Sequence, residues 1–199
     1  MSKSLKKLLT ESKYLEHNSA NVKNNSIFLA YPGISNDGRK YISEAIKNGA
    51  CAIFYDPSGF KWNNQWNLPN LAINKLKDNV SSIASEFYNH PSHQINLIGV
   101  TGTNGKTSTV FWITQCLERL KRKTTMISTI GYGFIDNLNP TFNTTPDAIK
   151  IQSFLNDFVL DKVKDSCIEV SSHGIDQKRV SGIDFDVRLF TNFSRDHLD

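Results

Sequence analysis

The stretch Gly99-Val100-Thr101-Gly102-Thr103-Asn104-Gly105-Lys106-Thr107-Ser108 decides how this chain is read. It lies between an apolar run, Ile95 to Val100, and a segment from Lys106 to Leu120 whose apolar residues recur at helical spacing. A strand that ends in a glycine-rich turn and restarts as a helix is suited to holding an anion. Glycine lets the backbone approach phosphate closely, and the first N–H groups of a helix lack partners inside it. Lys106 is placed to reach the β and γ phosphates of ATP, and the Thr107 hydroxyl to ligate magnesium. The candidate nucleotide contacts are therefore Gly102, Thr103, Asn104, Gly105, Lys106, Thr107 and Ser108, with Lys106 as the catalytic cation. The spacing is GxxGKT, because Val100 stands where the longer phosphate-loop pattern has its first glycine.

Outward from the loop, strands and helices alternate. Thr124 to Ser128 reads as a strand and Pro146 to Leu160 as a helix, with Asp147 as a favourable acid in its first turn. Ser166 to Val170 and Arg188 to Thr191 read as further strands. Such alternation implies a parallel sheet covered on both faces, with ligands beyond the carboxyl ends of its strands. Four strand ends there carry polar residues: the phosphate loop, Ser128-Thr129-Ile130-Gly131, Glu169 to Gly174, and Thr191-Asn192 followed by Ser194 to His197. The Glu169 carboxylate suits magnesium; the His197 imidazole is a less usual ligand for so hard an ion.

The first ninety residues repeat the rhythm on a smaller scale. Ile27 to Ala30 and Cys51 to Tyr55 are short apolar runs around a helix predicted from Tyr41 to Asn48 and closed by Gly49. Pro57 to Pro69 is polar and reads as loop, Val80 to Tyr88 as a helix, and Asn89 to Ser92 as a linker. The expected fold is α/β: a small α/β domain over residues 1–92, then a phosphate-loop domain with a mostly parallel sheet over 93–199.

Composition narrows the class. Of 199 residues, 39% are hydrophobic, enough for one large core or two small ones. A net charge of +4, from 23 basic and 19 acidic residues, suits a protein of anionic small molecules better than a nucleic-acid binder. The one dense basic run, Lys121-Arg122-Lys123, is expected to decorate a helix C-terminus. Cys51, Cys116 and Cys167 are scattered, without the spacing of a zinc site or a disulfide framework. With no apolar run of membrane-spanning length, a soluble, cytoplasmic protein is expected, taken to be a monomer without nucleic-acid or membrane partners.

Several strings resemble the Mur ligases, and their tripeptide-synthetase branch in particular. GTNGKT resembles the ATP loop of that family and of the related folylpolyglutamate synthetases. EVSSHGIDQKRV, from Glu169 to Val180, is similar to a signature of the branch, and FTNFSRDHLD, from Phe190 to Asp199, to the segment that follows it. The resemblance implies that Thr107, Glu169 and His197 hold magnesium. It also implies that Ser171, Gln177 and Arg179, together with Asn143, Thr144 and Thr145, contact a UDP-N-acetylmuramoyl-dipeptide. Asn18-Ser19, Ile27 to Ala30 and Gly33 to Arg39 resemble the family's uridine-binding domain, which implies UDP contacts at Ser19, Ile34, Ser35 and Asn36. Where the family has Asp-Ser-Arg, this chain has Asn18-Ser19-Ala20, so a contact from that arginine is not expected.

The activity so implied is ATP-dependent addition of a third amino acid, meso-diaminopimelate or L-lysine, to UDP-N-acetylmuramoyl-L-alanyl-D-glutamate through an acyl phosphate. The family continues past the residues present here to a metal-binding lysine and an amino-acid-binding domain. These 199 residues are accordingly expected to be part of a longer ligase, binding nucleotides but making no amide bond alone. Rival readings are another Mur ligase, a folylpolyglutamate synthetase, or a non-catalytic nucleotide-binding module.

Overall fold

A computed structural model describes residues 3–33, 36–141 and 143–194. The chain divides into two compact units, with the boundary between Phe87 and Tyr88.

The first unit is a four-stranded parallel sheet in the order β1 (Tyr14–Glu16), β2 (Ser26–Ala30), β3 (Ala50–Tyr55) and β4 (Asn70–Ala72). All five residues of β2 are buried, as a strand covered on both faces requires, and this is why Ile27-Phe28-Leu29-Ala30 is uninterrupted by polar residues. On one face, Phe28, Ala30 and Ile53 pack with Ile42 and Ala45 of helix α2 (Ile42–Lys47). Half-buried Phe60, Trp62, Trp66 and Leu68 from the 57–69 loop close that cluster. Helix α3 (Leu76–Phe87) buries Leu76, Val80, Ile83 and Ala84 at helical spacing. It begins four residues before the predicted Val80, since Leu76 opens the same apolar stripe. Helix α2 ends as predicted: Gly49 adopts φ +102, and a Cβ there would lie 2.2 Å from the Asn24 side chain. The sequence reading assigned no helix to the N-terminus, yet α1 (Lys3–Glu11) is one. It buries Leu5 and Leu9, four residues apart on one face.

The second unit is a six-stranded sheet in the order β10-β5-β9-β6-β7-β8. Strands β5 (Asn96–Thr101), β6 (Thr124–Ser128), β9 (Asp165–Glu169) and β10 (Val187–Phe190) run parallel. The sheet is thus mostly parallel, as expected, and β7 (Gly131–Phe134) and β8 (Asn137–Asn139), which were not foreseen, add an antiparallel hairpin at one edge. Its sequence signal is the glycine-aromatic alternation of Gly131-Tyr132-Gly133-Phe134.

Both faces are covered over β5, β6 and β9, while the edge strand β10 is exposed. Leu97, Ile127 and Ile168 share a core with Ile151, Leu155 and Phe158 of helix α5 (Ala148–Leu160). One residue out of phase, Val100, Met126 and Cys167 pack with Val110 of helix α4 (Lys106–Arg119). Side chains that alternate between faces thus give each helix its own row. Burial pushes the Cys167 thiol up to about 11, which makes it a packing residue. Asp147 caps α5 by accepting the Lys150 N–H, so the helix starts at Ala148 and not at Pro146. Helix α4 stops at Arg119, and Arg122 does more than decorate its end. The Arg122 guanidinium grips Asp165, at the start of β9, with two bonds of 2.6 Å. Among the described residues no helix is long and apolar enough to cross a membrane.

Candidate functional site

The carboxyl ends of β5, β6, β9 and β10 open onto one cavity of about 750 Å³, the size of a small-molecule site. Register brings them together: Val100 pairs with Glu169, and Thr101 with Phe190.

The loop leaves β5 at Thr101 and enters α4 at Lys106, with Gly102 and Gly105 at φ +131 and +82. Gly102 is required twice over. Its conformation disfavours any side chain, and a Cβ would sit 2.2 Å from the Thr191 hydroxyl. Gly99, by contrast, is a packing glycine within β5, where the Phe185 ring lies 2.9 Å from a Cβ position. The Lys106 ammonium curls over the loop and donates to the carbonyls of Gly102 (2.7 Å) and Thr103 (2.9 Å). That places its charge on the cavity side of the turn.

Two amides of the loop ahead of the helix are already engaged. The Thr103 N–H donates to the Asn192 carbonyl and the Asn104 N–H to the Asn192 side-chain oxygen. The amides from Gly105 to Ser108 stand ahead of the first helical bond, Thr109 N–H to Gly105 O, at the start of α4.

Glu169 is the buried acid of the site, 2% exposed. One carboxylate oxygen accepts from the Thr107 hydroxyl (2.9 Å), the Thr129 N–H (3.0 Å) and the Thr129 hydroxyl (3.1 Å). Thr107 and Glu169 thus meet across the α4 start and the β9 end. Two oxygen donors suit magnesium, which keeps several waters and needs few protein ligands. Among the described residues no cluster of three acidic, histidine or cysteine side chains forms a metal cage. His197, the remaining candidate ligand, lies outside the described residues.

Substrate-side candidates line the same cavity. The Thr145 hydroxyl donates to the Glu169 carbonyl and accepts the Ser171 N–H. The Ser171 hydroxyl caps the short helix α6 (Ser172–Asp176) by accepting the Gly174 N–H. Arg179 donates twice to the Gln177 side-chain oxygen and once to the Thr145 carbonyl, so its fork is positioned by two other candidates. Asn143 and Thr144 complete this wall, with the Thr144 hydroxyl 3.0 Å from that of Thr129. Gly174, in the polar strand end read from the sequence but given no role there, is needed for packing, since a Cβ would press on Thr145 at 2.8 Å. His173 of the same run lines the cavity, as do Ile175, Phe190 and Phe193, which the sequence reading did not name as site residues and which carry no local polar signal.

In the first unit, a cavity of about 520 Å³ is lined by Ser19 and Asn36 with His17, Tyr31 and Glu44. Ser19 is buried and donates to the Glu44 carboxylate at 2.9 Å, while the Asn18 side chain accepts the Ala20 N–H. Ile34 and Ser35 lie outside the described residues.

Fold and loop together define the class: an α/β protein whose second unit is built around a phosphate-binding loop. Two family models match, the Mur ligase middle domain over residues 100–199 and the Mur ligase family, catalytic domain, over 12–88. The chain belongs to the Mur ligase family. It is 42% identical over 186 residues to a UDP-N-acetylmuramoyl-L-alanyl-D-glutamate–2,6-diaminopimelate ligase of Neisseria meningitidis, covering 93% of this chain and 38% of that protein. A protein of the same name from Nitrosomonas europaea is 40% identical over 195 residues, covering 98% of this chain and 37% of its own length. A solved structure bearing that ligase name superposes with a TM-score of 0.79 at 26% identity, over 94% of this chain and 38% of that one. The MurF ligase of Thermotoga maritima, solved in complex with ADP, shares the fold (TM-score 0.63, 23% identity, 96% and 39% covered). The chain spans less than two-fifths of the length of these relatives.

Proposed function

We propose that this chain supplies the UDP- and ATP-binding parts of a ligase that adds diaminopimelate to UDP-N-acetylmuramoyl-L-alanyl-D-glutamate during peptidoglycan assembly. One observation carries the reading. The phosphate loop, the buried Glu169 and the Thr145–Ser171–Arg179 wall face a single cavity, so a nucleotide γ-phosphate and a second substrate can meet there. The names of the relatives at about 40% identity support diaminopimelate over lysine.

In this reading Lys106 and the first amides of α4 hold the β and γ phosphates and stabilise the charge that moves with the phosphoryl group. Thr107 and Glu169, with His197, would hold magnesium, which when bound neutralises phosphate charge. Arg179, oriented by Gln177 and the Thr145 carbonyl, binds an anionic group of the muramoyl-dipeptide. The D-glutamate carboxylate attacks the γ-phosphorus and ADP leaves. The diaminopimelate amine then attacks the acyl phosphate, forming the amide and releasing phosphate. Ser19, Asn36 and their neighbours Ile34 and Ser35 hold the uridine end, and the cytoplasm supplies both nucleotides.

The test uses the full-length gene product with ATP, magnesium, UDP-N-acetylmuramoyl-L-alanyl-D-glutamate and either amino acid. Tripeptide product by mass spectrometry, with one phosphate released per amide, is expected with diaminopimelate and not with lysine. Phosphate release without any amide product, or preference for lysine, would overturn the proposal.

A further inference from the structure

The phosphate loop is braced from outside as well as by Lys106. Thr103 and Asn104 are bonded to residues just past the end of β10, which are remote in sequence but adjacent in the sheet because β10 pairs with β5. The Asn192 side chain grips the Asn104 residue from both sides, accepting its N–H at 3.1 Å and donating to its carbonyl at 3.0 Å. The Thr191 hydroxyl donates to the same carbonyl at 2.7 Å. The backbones join as well, Thr103 N–H donating to the Asn192 carbonyl, and the Ser194 N–H donates to the Thr103 side-chain hydroxyl at 3.0 Å. These contacts continue the β5–β10 pairing past the last backbone rung, in part through side chains. They also explain Gly102, since Thr191 and Asn192 occupy the space its Cβ would need.

We infer that Asn192, with Thr191, is a positioning residue that holds the loop open for polyphosphate. The inference rests on the reading of this loop as the ATP site. A loop with two glycines at positive φ has much backbone freedom to lose. If nothing external fixed it, binding would bear that ordering cost and affinity would fall. The Asn192 side chain bonds the N–H and the carbonyl of Asn104, so its effect reaches a ligand through the loop. Removing it must therefore weaken every ligand that uses the loop by the same factor, whatever else that ligand carries.

The experiment measures Mg-ATP, inorganic tripolyphosphate and UDP binding to the whole chain by calorimetry. For Asn192→Ala, ATP and tripolyphosphate are expected to weaken together by tenfold or more, with UDP affinity and far-ultraviolet circular dichroism unchanged. Thr191→Val is expected to lose several-fold on the same two ligands, and Thr191→Ser, which keeps the hydroxyl, to recover most of it. Should Asn192→Ala fail to fold, the Thr191 pair carries the test. Tripolyphosphate affinity within twofold of wild type in Asn192→Ala, or Thr191→Ser no better than Thr191→Val, would overturn the inference alone. Wild-type protein that binds neither ATP nor tripolyphosphate would overturn the nucleotide reading, and the inference with it.

Discussion

The two units solve similar problems with different materials. Each is built on parallel strands with a cavity lined in part by residues that follow them, and each cavity is lined by a glutamate bonded to a serine or threonine. In the second unit that pair is Thr107 and Glu169, with the acid buried and accepting three bonds on one oxygen. In the first it is Ser19 and Glu44, with the serine buried and the glutamate exposed. A buried carboxylate surrounded by donors and set beside a helix N-terminus is organised around a charge. An exposed glutamate tethered by a buried serine is organised around the fold of its own turn. The second site should therefore answer strongly to loss of a charge, and the first only weakly to loss of its hydroxyl.

The largest effect should come from Lys106→Ala. Charge-assisted hydrogen bonds are worth about 1.5–3 kcal/mol, so Mg-ATP affinity should fall roughly ten- to a hundredfold by calorimetry. The ammonium is held only by loop carbonyls, and circular dichroism should show the fold intact. Equal ATP affinity would place the phosphates elsewhere and end the contrast.

Ser19→Ala should do less. A single bond from a hydroxyl to a partly solvated carboxylate contributes about 0.5–1.5 kcal/mol, so UDP affinity should drop about two- to tenfold. ATP binding should stay at the wild-type value. A drop in both would mean that the variant disturbs more than its own unit. No drop in either would confine Ser19 to the turn.

The smallest effect, and the sharpest comparison, is with acid. Burial favours the neutral form of Asp165, but the Arg122 fork and the Asn96 amide outweigh it and hold the carboxyl below its ordinary range. Burial likewise opposes ionisation of Asp56, and there the Ser58 and Leu76 N–H groups and Arg39 prevail. A carboxyl depressed on folding adds stability at pH values above its unfolded value near 4 and loses it as pH falls through the folded value. Both units should hold at neutral pH and weaken together below about pH 4, read by the fluorescence of Trp62 and Trp66 in one and Trp112 in the other. Added salt should weaken the second unit more, since Arg122 is partly exposed whereas Asp56 relies mainly on backbone N–H groups. Loss beginning near pH 6 would assign the acid response to histidines.

The phosphate loop was legible because everything that marks it is local. Glycines, lysine and threonine fall within six residues, after an apolar run and before a helical stripe. The strand before it was legible because Leu97 to Val100 is an unbroken run without a charged or hydroxyl side chain, as a strand buried on both faces requires. Helix α1 escaped because its stripe, Leu5, Leu8 and Leu9, is short and broken by lysines, and the β7–β8 hairpin because its strands are only four and three residues long. The first unit's cavity was legible only by resemblance, since its polar groups are ordinary turn residues until the fold gathers them.

By itself the sequence determined two α/β rhythms, the strand-loop-helix at Gly102 to Ser108, and the chemical types at four strand ends. These depend on neighbours in the chain, where backbone conformation and hydrophobic periodicity act. The tertiary structure alone decided which strand ends meet. Glu169 reaches Thr107 across 62 residues, and Asn192 grips Asn104 across 88. Both depend on β5 lying between β9 and β10, an order set by which sheet faces α4 and α5 can bury together and by no feature of the loop itself.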